Sequence, residues 1–207
     1  MVQKSDRAEC CSDIRQTLKN NFSKVWTQSL VTKRAVMDKL KGPMLLFDIL
    51  LVLTTLTCAL VTGFILTFAV VVMPGIASLS DRDFIRAFQV TDGVIQRGQP
   101  VFSSIWIGSV IATVGLLIAS ITDTDLPQAR LTILLGVVYL LGVQGVTVAV
   151  HLPLNRHIQN VDVAELDEQT LREEREHFEE RWNNFNIVRT VIAVLVTVML
   201  LATTLSR

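Results

Sequence analysis

Two short stretches carry most of the side chains able to do chemistry in this 207-residue chain. The first is His151-Leu152-Pro153-Leu154-Asn155-Arg156-His157, and the second is Trp182-Asn183-Asn184-Phe185-Asn186-Ile187-Val188-Arg189-Thr190. His151 has an unperturbed pKa suited to taking a proton near neutral pH. Asn155, Asn186 and Arg189 are donors suited to an oxygen that gains negative charge. Trp182 and Phe185 could wall an apolar slot. Asn186, Arg189 and Thr190 fall within about one turn of a helix, so a single helix presents all three together. An arginine at the edge of a membrane span is costly unless it snorkels or finds an acceptor, which makes Arg189 a functional candidate. The plainer alternative is an interfacial anchor that binds lipid phosphate or caps a neighbouring helix.

Four apolar runs must position these residues: roughly 44–73, 101–121, 131–150 and 187–205. About 20 apolar residues at ~1.5 Å rise cross a ~30 Å hydrocarbon core. Every backbone amide in lipid needs an internal partner, so such runs are helices. The expected fold class is all-α: an integral membrane four-helix bundle, residues 44–207, with short amphipathic helices capping one face. Antiparallel topology brings both polar stretches to the same membrane face, together with Pro74 and Pro100.

Ahead of the bundle, residues 1–43 hold nine Lys/Arg against four acids, whereas 152–186 hold nine Asp/Glu against four Arg. The basic bias places the N-terminus in the cytoplasm, and four spans return the C-terminus to that side. Ile14, Leu18, Phe22, Val25 and Trp26 recur at helical spacing and suggest an interfacial helix on the inner leaflet. A disordered basic tail is the alternative. Cys10-Cys11 could be acylated near a membrane surface; Cys58, mid-span, reads as packing. The first apolar run is too long for the core of a signal peptide.

Met73-Pro74-Gly75 reads as the stop of the first span. Ser80 follows as an N-cap with Asp81 and Asp83 in the first turn. Phe84, Ile85, Phe88 and Ile95 then give a short amphipathic helix against the outer surface, and Gln99–Pro100 opens the second span. Small residues recur in the second span (Ser104, Gly108, Ala112) and the third (Gly142, Gly145, Ala149), a device for close helix packing in lipid. Tyr139, Gln144 and Thr147 should face the bundle. After Pro153 there is neither proline nor glycine, so a helix from about Thr170 is expected to run unbroken into the last span. Leu171, Phe178 and Trp182 would pack against the helix of the first connection and form the cap.

The run Val146–Asn155, with the later W-x-x-F-N-x-x-R-T at Trp182, Phe185, Asn186, Arg189 and Thr190, resembles the anthrone-oxygenase-like family of four-span membrane proteins. Gly63-Phe64, Phe68 and Val72-Met73-Pro74-Gly75 extend the likeness into the first span, so that it covers about residues 45–205. The resemblance implies a cofactor-independent oxygenase that oxidises an anthrone to an anthraquinone with molecular oxygen. A proton made acidic by the carbonyl is removed, and the electron-rich enolate passes an electron to oxygen. His151, Asn155, Asn186 and Arg189 are then the catalytic candidates; Pro74, Trp182, Phe185 and Thr190 are the substrate-binding ones. His151 lies outside the family pattern, which leaves the base unassigned. Phe185 stands where the family commonly has tryptophan, so substrate shape could differ.

A metal site assembled from His151, His157 and Glu174-x-x-His177 is the competing chemistry. Only one E-x-x-H occurs, and Glu168, Glu173, Glu176, Glu179 and Glu180 among Arg172, Arg175 and Arg181 read better as a solvated face with i,i+4 pairs. No phosphate loop, nucleophile elbow or nucleotide fingerprint is present. The basic front segment is explained by anionic lipid, with no nucleic acid partner. A channel is disfavoured, because the spans hold one acid, Asp48, and no repeated polar stripe. Two functional classes remain: an oxygenase or binder of an apolar aromatic small molecule, and a non-catalytic membrane scaffold whose cap binds a protein partner.

Overall fold

The computed structural model describes residues 44–122 and 128–207, together with Gln28 and Gly42. The expectations for the basic segment 1–43 and for Cys10-Cys11 lie outside the described residues. Among residues 44–207 the described part of the chain forms five helices: α1 Met44–Ala77, α2 Asp81–Gln96, α3 Pro100–Thr122, α4 Ala129–Gln159 and α5 Glu168–Leu205. All but α2 are long and apolar enough to cross a membrane, and no strand occurs among the described residues. The chain is a multi-pass membrane protein.

Two of the helices run past their expected ends, and for one physical reason. Met73-Pro74-Gly75 does not stop α1, which continues to Ala77, and α4 continues through Pro153 to Gln159. Proline lacks an N–H and its ring clashes with the carbonyl four residues back. Here each proline sits two residues after a π-helical segment, Phe68–Val72 in α1 and Thr147–His151 in α4. The wider turn relieves the clash without breaking the helix. A further π segment, Leu140–Gly145, lies just before the second of these.

The connection from α1 to α3 follows the expected pattern. Ser80 Oγ accepts from Asp83 N at the start of α2. Gly98, at φ +76°, makes the turn after α2, where a residue with a Cβ would be strained. Pro100 opens α3, where its missing N–H costs nothing.

Different forces hold the two ends. At the capped end Phe84, Ile85 and Phe88 of α2 bury against Leu154 and Ile158 of α4 and Leu171, Phe178 and Trp182 of α5. The Phe88 and Phe178 rings meet at 4.6 Å. This core lies beside water, and each such side chain contributes about 1.5–3 kcal/mol by leaving it. Arg175 belongs to the cap rather than to a solvated face. It donates to Ala77 O (2.8 Å) and Leu79 O (3.0 Å) at the end of α1, pairs with Asp81 at 3.1 Å, and lies over the Phe84 ring at 4.4 Å.

Within the spans, lipid is as apolar as the side chains, so close packing and hydrogen bonds do the work. The pairs Ser120–Thr132 (2.8 Å), Thr62–Thr197 (2.9 Å) and Thr55–Thr204 (3.1 Å) link helices across the bundle. The small-residue expectation holds only in part. A Cβ on Gly136 would come within 2.9 Å of Leu117, and one on Gly142 within 3.0 Å of Ile192, whereas one on Gly108 would meet nothing within 4 Å. Close approach of α3 and α4 therefore happens at Gly136, toward the end away from the cap.

Gly136→Val is expected to lower stability by about 1–3 kcal/mol through overpacking, measured by thermal unfolding in detergent. Leu117→Ala in the same chain should restore part of that loss, while Gly108→Ala should leave the transition in place.

Candidate functional site

Held together at Ser120–Thr132 and Gly136, α3 and α4 separate toward the cap, and a cavity of about 710 Å³ fills the gap. Phe64 and Phe68 of α1 line its back. Phe102, Trp106, Ile107, Val110 and Ile111 come from α3, and Leu140, Gln144, Gly145, Thr147, Val148, His151, Leu152 and Asn155 from α4. Helix α2 supplies Phe88, Asp92, Ile95 and Gln96 from the capped end, and α5 supplies Trp182 and Arg189. Ile107, Ile111 and Val148 are lining residues and also exposed, Ile111 by 66%, so the mouth faces the bilayer rather than an aqueous vestibule. The aromatic wall is continuous: Phe68–Phe64, Phe64–Phe102 and Phe102–Trp106 have centroid separations of 5.0, 4.8 and 5.3 Å.

Polar groups enter this apolar space at three places. Deepest, Gln144 donates to Tyr139 Oη at 3.0 Å, and that hydroxyl donates to Ser109 Oγ at 3.0 Å. These are the polar residues expected to face the bundle. On the α5 side Arg189 is only 5% exposed. Its Nε donates to Asn186 Oδ1 at 2.9 Å and its NH1 to Thr147 Oγ1 at 3.0 Å. Asn186 in turn donates to the Ile65 carbonyl at 3.4 Å, in the turn of α1 just before its π segment. Among the described residues no carboxylate pairs with Arg189. A guanidinium has five N–H donors, and two bonds leave most of them for a ligand. Arg189 therefore neither snorkels nor caps α4.

The third polar place is Asp92, which sequence reasoning missed. It is 2% exposed, and its carboxylate accepts from three neutral amides: Asn155 Nδ2 (2.8 Å), Gln159 Nε2 (3.1 Å) and Gln96 Nε2 (3.2 Å). Burial pushes its pKa above the ordinary carboxylate value, against the opposing pull of those amides. The overlooked signal was its spacing: Asp92 lies four residues after Phe88, on the buried face of α2. Asn155 joins it to the rest of the site, because its Oδ1 accepts Trp182 Nε1–H at 2.9 Å. The Arg189 guanidinium lies 5.6 Å from the Trp182 ring centroid. His151 stands edge-on to the same ring at 5.1 Å, and neither of its nitrogens has a hydrogen-bond partner.

Five of the eight residues singled out in the sequence thus come together: His151, Asn155, Trp182 and Arg189 line the cavity, and Asn186 stands behind Arg189. The other three do not line it. Pro74 lines a separate crevice of about 190 Å³ between α1 and α5, which Asn186 also borders. Phe185 is 38% exposed on the outside of α5. Thr190 is buried behind the site with an unpartnered hydroxyl. Of the competing metal set, His157, Glu174 and His177 lie near one another, the two imidazole rings 6.2 Å apart, and only His151 lies elsewhere. His157 bonds Glu174 at 2.6 Å near the surface, while His151 lies in the cavity. Among the described residues no three His, Cys, Asp or Glu side chains are grouped to hold a metal ion.

Fold and site together define a polytopic membrane protein built around an aromatic-walled cavity bordered by exposed apolar side chains. The family model described as anthrone oxygenase matches residues 93–199, and the chain belongs to that family. The match holds α3, α4 and nearly all of α5, and leaves α1 and Asp92 outside. No curated protein and no solved structure matches the chain.

Because the folded-state pKa of Asp92 is raised, its carboxylate contributes most to stability when protonated, and that contribution is lost as pH rises through the folded pKa. The melting-temperature difference between wild type and Asp92→Asn should therefore move in favour of wild type as pH falls from neutral toward the ordinary carboxylate range. A difference independent of pH would mean that the carboxylate titrates as it does in the unfolded chain.

Proposed function

We propose that this protein is an oxygenase that oxidises an anthrone-like fused-ring ketone with molecular oxygen inside the cavity between α3 and α4. The observation that carries this reading is a buried guanidinium with no carboxylate partner, facing an aromatic-walled space that opens to lipid. A flat tricyclic ring system fits a slot lined by Phe64, Phe68, Phe102, Trp106 and Trp182. Such a molecule dissolves in the bilayer and would enter past Ile107, Ile111 and Val148.

The reaction balances without a further reductant: one anthrone and one dioxygen give one anthraquinone and one water. Loss of a proton from the carbon opposite the carbonyl makes the ring system an electron-rich enolate. Arg189, held by Asn186 and Thr147, would stabilise the enolate oxygen, as fixed donors do for a charge that develops in a low-dielectric site. His151 adds its ring nitrogens as possible hydrogen-bonding groups at the same end of the cavity. The enolate then passes an electron to oxygen, and the resulting radicals combine at that carbon. Loss of water yields the quinone.

A non-catalytic scaffold would call for a solidly packed bundle and an exposed apolar cap, and the cavity argues against it. Basic residues 1–43 favour cytoplasmic termini, which would open the site to the outer leaflet.

Purified protein in detergent is expected to take up one oxygen per anthrone faster than spontaneous oxidation, measured with an oxygen electrode and by the absorbance of the quinone. Arg189→Met, which keeps most of the volume, should lower that rate by about 10²-fold or more while folding and inserting normally. Equal rates for the two proteins would end the assignment of Arg189.

A further inference from the structure

The reaction needs a proton acceptor, and the geometry points to Asp92: its carboxylate takes the proton from the substrate carbon opposite the carbonyl, with Asn155 as the residue that positions it. This assignment rests on the reading of the cavity as a site for an anthrone-like ketone. It concerns a residue of α2 that lies outside both the resemblance motifs and the matched family region.

Three observations carry it. Asp92 is the one carboxylate among the residues that line the cavity. All three of its hydrogen-bond partners are neutral amides, and among the described residues no cation forms an ion pair with it. An ionised carboxylate offers about four lone-pair directions; three are filled, and one remains for a ligand. Accepting a proton also neutralises a charge held out of water, which makes transfer from a weak carbon acid less uphill than it would be to a solvated carboxylate.

The second part is placement. Arg189 and Asp92 carry opposite charges in one cavity, and they are kept apart rather than paired. Between them stands Trp182, with its ring toward Arg189 and its N–H on Asn155, whose amide group donates to Asp92. A ring system along the aromatic wall would thus meet a proton acceptor at one edge and a cation for its oxygen at the other. In the transfer the substrate C–H bond breaks and an O–H bond forms on Asp92. The electron pair passes through the ring to the carbonyl oxygen, at Arg189. No oxidant is consumed in this half of the reaction, so it is separable from oxygen chemistry.

The test uses that separation. Under argon in deuterated buffer, the detergent-purified protein is mixed with anthrone, and deuterium entering the methylene position is followed by mass spectrometry. Wild type should accelerate exchange above buffer, and Asp92→Asn should lower the protein-dependent rate by about 10²-fold or more. Quenching of tryptophan fluorescence by anthrone under argon should show that the variant still binds. If Asp92→Asn fails to fold, Asp92→Glu serves instead: a loss of about tenfold or more supports the assignment, and an unchanged rate overturns it. Exchange retained within threefold in Asp92→Asn, or lost in His151→Gln but not in Asp92→Asn, overturns it too. Absence of exchange with wild type also overturns it, and oxygen uptake measured on the same preparation then tells whether the oxygenase reading falls with it or stands alone.

Discussion

A guanidinium buried between helices in a lipid-facing bundle is the constraint around which the rest of the structure is arranged. An ion taken from water into such a place costs several kcal/mol even after relaxation. Among the described residues Arg189 has no carboxylate partner to offset that cost. Its support is made of neutral dipoles and a ring: Asn186, Thr147 and the face of Trp182. Each of these is tied to something else. Asn186 reaches the Ile65 carbonyl of α1, Thr147 begins a π segment of α4, and Trp182 holds Asn155. Three of the four spanning helices are therefore fixed at one level by the needs of one side chain. An arrangement of that kind stabilises the fold little. It keeps unused donors and a positive potential directed at an apolar space, which is the condition under which a ligand oxygen binds strongly.

Continuation of α4 through Pro153 builds one wall of the cavity. Had Pro74 and Pro153 ended their helices, as proline often does, the polar residues beyond them would lie in surface loops. The π segments before each proline let the helices continue, and the segment before Pro153 carries Thr147, Val148 and His151 into the cavity wall. Past Pro153, the last turns of α4 place Asn155 and Gln159 beside Asp92. The same residue type that would be a boundary in an isolated helix here rotates a functional face inward.

The cap and the bundle rest on different physics and meet at Trp182. Above it Phe84, Phe88 and Phe178 are held by the hydrophobic effect, because water is the alternative environment. Below it the helices are held by packing and by buried hydrogen bonds, because lipid is the alternative. That difference permits α3 and α4 to stay apart near the cap without collapsing. The gap is bordered by exposed apolar side chains of spanning helices, so leaving it open carries less hydrophobic penalty than a gap facing water would. Asp92 belongs to the cap but faces the gap, which is how a charged residue of a surface-type helix enters a membrane cavity.

Much of this was determined by the sequence alone. Run lengths and backbone hydrogen-bonding demand give four spanning helices in any arrangement, and the Ser80 cap and the proline-free stretch after Pro153 set α2 and α5. The spacing of Asn186, Arg189 and Thr190 put three polar groups on one helix, and the family likeness rested on those residues. What only the tertiary structure decided was direction. Thr190 and Phe185 share a turn with Arg189 yet do not line the cavity: Thr190 lies about 100° round the helix, and Phe185, only about 40° from Arg189, falls on the exposed flank because of how α5 packs. Pro74 belongs to a different crevice, and a Cβ on Gly108 would meet nothing, although Ser109 beside it is hydrogen-bonded to Tyr139 of α4. Asp92 was legible as part of an amphipathic helix but not as a cavity residue. Its role depends on Asn155 and Gln159, more than sixty positions away, and on a π-turned helix that local sequence does not reveal. Local spacing fixes which side chains travel together; the contacts between helices fix which of them share a space.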